Sequence, residues 1–81
     1  MSETSETSER LRYSMLIQWS DEDRAYLVTL PEWADRVLGP VTHGETYEEA
    51  IKNGQAALEA LIALANKHQE PLPEPRVFVG V

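Results

Sequence analysis

Among the residues able to do chemistry, His43 and His68 are the only imidazoles, and Asp21-Glu22-Asp23 is the densest run of carboxylates. A histidine flanked by Thr42, Glu45 and Thr46, as His43 is, becomes a general base only where a partner orients its ring. His68 falls in the last turn of an expected helix, where a cation is favoured by the helix dipole. Three consecutive acids on a turn point in different directions, whereas a calcium loop needs oxygen ligands at longer fixed spacings and a glycine to turn the chain. They read as a solvated turn. There is no cysteine, so neither a thiolate zinc site nor a disulfide frame is available. No nucleophile elbow, phosphate loop or dinucleotide fingerprint occurs. Two-metal hydrolysis requires carboxylates held on rigid strands, and the segments from Leu11 to Trp19 and from Ala25 to Leu30 contain none. The expectation is a protein with no catalytic residue, no metal and no cofactor, acting by contact. Candidate contacts are Asp21, Glu22, Asp23, His43 and Trp33. The last is a large ring on a loop, suited either to anchoring a partner or to capping the core.

The elements that position these groups are organised around one helix, expected from Thr46 to His68. Ala50, Ile51, Ala57, Leu58, Leu61, Ile62, Leu64 and Ala65 recur at helical spacing and form its apolar side. Thr46-Tyr47-Glu48-Glu49 has the pattern of a capping box, in which Thr46 accepts from the Glu49 N–H and Glu49 reaches back to the Thr46 N–H. Gly54 is a poor helix former, so close packing on a strand is its expected compensation.

Alternation of apolar and polar residues predicts a first strand from Leu11 to Trp19, with Tyr13, Met15, Ile17 and Trp19 facing the helix. Ser20 to Arg24 is the turn of a hairpin, Ala25 to Leu30 its second strand, and Val41 to His43 a short third strand ending at Gly44. Gln69 to Pro75 is a polyproline-like strap, and Arg76 to Val79 is β-prone enough to be a last strand, paired with this sheet or with another subunit. The fold class expected is α+β: an antiparallel sheet of three to four strands covered by one long helix, in β-β-β-α-β order. Residues 1–10 are a polar tail and 11–81 a single domain. The formal charge of −7 argues against a phosphate backbone as partner and favours a basic protein. With no apolar run near the roughly 20 residues that span a bilayer, no membrane role and a cytoplasmic location are expected. So thin a core also favours a dimer or tetramer.

Three stretches, read in order, resemble the HicB family of antitoxins: Tyr13 to Glu32 as a strand, an acidic turn and a strand ending in Pro-Glu; Thr42 to Ala50, Thr-His-Gly-Glu-Thr-Tyr-Glu-Glu-Ala; and Pro71-Leu72-Pro73-Glu74-Pro75. Trp33 to Pro40 departs from the family pattern as a longer, altered loop. The resemblance implies a partial ribonuclease-H-like fold and neutralisation of a small, basic HicA-type messenger-RNA-cleaving toxin. Many relatives carry a further DNA-binding segment; only residues 76–81 follow the strap here, so no DNA binding is expected of this chain alone. The alternatives are a structural or regulatory oligomer with no toxin, and a small nuclease-like enzyme using His43 with the hairpin acids.

Overall fold

The computed structural model describes residues 12–78; the expected polar tail and the first residue of the expected first strand lie outside them. Strands β1 (Leu16–Ser20), β2 (Ala25–Thr29) and β3 (Thr42–Gly44) form an antiparallel sheet in the order β1-β2-β3, and helix α1 (Tyr47–Lys67) packs against it. The α+β architecture is the expected one. Register pairs Trp19 with Tyr26 and Ile17 with Val28 across β1 and β2, and Tyr26 with Gly44 and Val28 with Thr42 across β2 and β3. Because side chains alternate along a strand, these six residues share the helix side of the sheet. Leu16, Gln18, Leu27, Thr29 and His43 share the other.

The helix sits close to the sheet because two glycines remove Cβ atoms at the contact. A Cβ on Gly54 would lie 2.6 Å from the Met15 sulfur and 3.0 Å from Val28 Cγ1, which is the packing expected of it. At Gly44 a Cβ would fall 2.4 Å from the backbone nitrogen of Ala50, so β3 itself touches the first turn of α1. Such proximity narrows the buried stripe to Ala50, Gly54, Leu58, Ile62 and Ala65. Ile51 and Leu64, expected on the buried side, are instead exposed. Tyr13, Leu30, Trp33, Leu58 and Ile62 form the core, with Met15, Val41, Leu61 and Leu72 packed around it. Each of these large side chains contributes about 1.5–3 kcal/mol by leaving water.

The start of α1 follows the expected capping box in one half. Thr46 Oγ1 accepts from the Glu49 N–H at 3.0 Å, but the Glu49 carboxylate accepts from the N–H of Glu45, at 2.6 Å, rather than from Thr46. Both are exposed donors satisfied at a helix start.

β1 begins later than expected because the backbone before it is taken by a carboxylate. The Ser14 N–H and hydroxyl both donate to the Glu32 side chain, at 3.0 Å each, so residues 12–15 join no ladder. Glu32 lies in a single 3-10 turn, Pro31–Trp33, and is buried at 6% exposure. It also accepts from the Arg76 N–H at 2.8 Å, tying both ends of the described chain to one group. Burial alone would raise its pKa, but the N–H groups of Arg76, Glu32 itself and Ser14, with the Ser14 hydroxyl, hold it below the ordinary glutamate value.

The strap after α1 is fixed by three further groups. Tyr13 donates its hydroxyl to the Pro73 carbonyl, Arg36 donates to the Pro71 carbonyl at 2.6 Å, and Leu72 packs on the core. Arg36 also lies over the Trp33 ring, 5.3 Å from its centroid. The last strand expected at Arg76 to Val79 does not form in its described part, since the backbone of residues 76–78 has no regular structure; Val79 lies outside the described residues. The Arg76 N–H is spent on Glu32 rather than on a strand partner.

Candidate functional site

The hairpin between β1 and β2 brings exposed acids and aromatic rings together at one end of the sheet. Its turn closes through Ser20, whose hydroxyl donates to Asp23 at 2.9 Å and accepts from the Asp23 N–H, while Arg24 takes the left-handed conformation at φ 55°. Asp21, Glu22 and Asp23 are all exposed on this turn. Because Ser20 pairs with Ala25, the next pair inward is Trp19 with Tyr26, side by side on the helix face. Their rings meet edge to face with centroids 5.0 Å apart. Tyr47, first residue of α1, stacks on Tyr26 at 4.3 Å and 28°.

Three elements therefore contribute one ring each to a continuous aromatic ladder. Tyr26 is half-buried between neighbours, whereas Trp19 is 49% and Tyr47 59% exposed. Trp19 donates its indole N–H to Asp21 at 2.8 Å, which fixes the ring and sets a carboxylate at its edge. Trp19 has the orientation expected of it, but lies beyond the helix start, where no core covers it.

The other expected contact residues fall in three places. His43 is exposed on β3, on the far side of the sheet, where it pairs with Leu27; its carbonyl accepts from Asn53 of α1 at 2.7 Å. Asp23, Ala25, Leu27, Pro40 and His43 line an open groove of about 360 Å³ on that side. Asp23 and His43 thus come together, Asp21 joins the aromatic ladder, and Glu22 stands at the turn between them. Trp33 takes the core-capping alternative: it is 1% exposed, with Tyr13 against it at 5.5 Å, so the altered loop sends its ring into the core. Tyr26 and Tyr47 were not singled out from the sequence, although the short turn, once its pairing is counted outward, predicts the Trp19–Tyr26 neighbours.

Among the described residues, no group of three or more His, Cys, Asp or Glu side chains is placed to hold a metal ion. Among the same residues no helix is long and apolar enough to cross a membrane.

Fold and surface together define a small α+β domain with an acidic, aromatic hairpin end. The chain belongs to the UPF0150 family. A UPF0150 protein of Thermoplasma acidophilum is 35% identical over 63 residues, covering 78% of this chain and 84% of the relative. Kinship with HicB-type proteins is therefore a distant family relation. No protein-family model matches the chain, and no solved structure does.

Proposed function

We propose that this chain is a HicB-like binding module that occupies a small, basic HicA-type ribonuclease toxin by protein contact, without catalysis of its own. The observation that supports it most is the hairpin end, where Asp21, Glu22 and Asp23 stand exposed beside the Trp19–Tyr26–Tyr47 ladder on a chain of net charge −7. Exposed carboxylates steer a basic partner in, and half-exposed rings supply area that gains by being covered. The cytoplasm, where messenger RNA is cleaved, is the compartment this role requires. Mixing the purified chain with a HicA-type toxin tests the reading: a complex should form at micromolar concentration, with an association rate that falls steeply as salt is raised. Absence of a complex, or a rate indifferent to salt, would count against it.

A second reading is a structural or regulatory oligomer without a toxin. Leu16 is exposed on the sheet face that α1 leaves bare, and among the described residues no strand pairs with the outer edge of β1. A dimer or tetramer covering that face would appear directly in light scattering. Such assembly is compatible with toxin capture at the hairpin end.

A further inference from the structure

The ladder at the hairpin end is larger than hairpin-to-helix packing needs. A cluster serving only to pin the turn to α1 would put its largest ring inside, as the fold does with Trp33 at 1% exposure, whereas Trp19 keeps half its surface in water. We propose that Trp19, Tyr26 and Tyr47, together with the Asp21 carboxylate, form a docking site for an arginine side chain presented by a basic protein. The inference rests on the proposed capture of a basic partner, and names the side chain that this surface reads.

Four observations lead to arginine. The rings are contiguous, at 5.0 and 4.3 Å, so they offer π-surface spanning more than one ring. Trp19 is already oriented by its bond to Asp21, so little side-chain freedom remains to be lost on binding. Asp21 places negative charge at the ring edge, and a carboxylate has acceptor sites beyond the one given to the indole. A guanidinium lies flat on an aromatic face and bonds a carboxylate in its own plane at the same time. An ammonium, compact and strongly hydrated, does only one of these well. Glu22 and Asp23 continue the acidic turn, and Glu48 follows Tyr47 in the first turn of α1; Arg24, also exposed on the turn, is the nearest opposing charge in sequence. Nucleic-acid bases also stack on exposed rings, but their phosphates would meet these carboxylates and a chain of charge −7.

The test uses the whole chain and its two tryptophan indole N–H resonances, with buried Trp33 as internal control. A short glycine–arginine repeat peptide should shift the Trp19 resonance saturably and leave Trp33 in place. The matching lysine peptide should bind about fivefold or more weakly, and Trp19→Ala or Asp21→Asn should each weaken arginine binding, followed by backbone resonances around Tyr47, by about the same factor. Asp21 is exposed, so its variant keeps the fold. Equal binding of the two peptides, no response at Trp19, or a uridine RNA oligomer shifting Trp19 in preference to the arginine peptide would each overturn the proposal. A HicA-type toxin captured equally well by Trp19→Ala and Asp21→Asn would overturn this site and leave toxin capture standing. Arginine selectivity at Trp19 with no toxin binding would support the site and overturn the capture.

Discussion

Replacing Glu32 by glutamine should weaken the fold far more than a change of one atom suggests. The carboxylate receives the Ser14 N–H, the Ser14 hydroxyl and the Arg76 N–H, and so joins the segment before β1 to the strap after α1. A hydrogen bond to a charged acceptor contributes about 1.5–3 kcal/mol against about 1 for a neutral one. Glutamine can keep its oxygen toward the Ser14 hydroxyl and the Arg76 N–H, but it loses the charge and sets its amide N–H against the Ser14 N–H, so a loss of about 2–4 kcal/mol follows. For a domain of this size, with stability of order 0.1 kcal/mol per residue, that is a large fraction of the total. Urea unfolding followed by far-ultraviolet circular dichroism should show the midpoint falling by about 1–2 M at neutral pH.

The same group sets a pH signature. Its folded-state pKa is lowered, so its contribution is complete above the unfolded value of about 4.3, and is lost as the pH falls through the lower folded value. The difference between wild type and Glu32→Gln should therefore be constant from neutrality down to that region and shrink below it. Equal midpoints at neutral pH, or a difference that ignores acidification, would refute the reasoning.

Gly44→Ala should destabilise by about 2–3 kcal/mol, because its Cβ meets the backbone of Ala50, which cannot move aside; Gly54→Ala should cost less, since flexible Met15 takes the closest contact and the helix gains about 1 kcal/mol of propensity. Denaturation of the pair checks the order. Trp33→Ala should cost about 3–5 kcal/mol, whereas Trp19→Ala, losing the edge contact to Tyr26, should cost about 1 kcal/mol; comparison of their melting separates core from surface. Tyr13→Phe removes the bond to Pro73 and should cost about 1 kcal/mol. Burial first and the Glu32 charge second raise the Tyr13 pKa against the opposing Arg36 charge, so wild type should lose stability as the pH rises above about 10, and the phenylalanine variant should not show that loss.

What could be read from the sequence was what is encoded locally. The start of α1 follows from Thr46 and Glu49, three residues apart, and the hairpin from an acidic turn between two alternating runs. The Glu32 clamp could not be read, because its partners stand 18 and 44 residues away and a carboxylate after a proline gives no sign of burial. That clamp explains why β1 starts late and why residues 76–78 join no strand of this chain: it withdraws Ser14 from β1 and engages the Arg76 N–H. Period alone places Ile51 and Leu64 inward, but the close approach at Gly54 leaves room for only a narrow stripe. Of the two roles open to Trp33 the ring takes the core one, while Trp19 faces the helix side as expected but stays half exposed, because loop or strand membership does not say where the core ends. The candidate surface was legible in its acids and hidden in its aromatics, since Tyr47 reaches Tyr26 only once the helix is laid across the sheet.

The most direct test of the proposed role is the rate at which a HicA-type toxin cleaves RNA as increasing amounts of this chain are added. The account predicts cleavage suppressed in proportion to the chain added, complete at a fixed stoichiometry, and restored when Trp19→Ala replaces the wild type. Cleavage that continues unchanged in the presence of excess folded protein would contradict it.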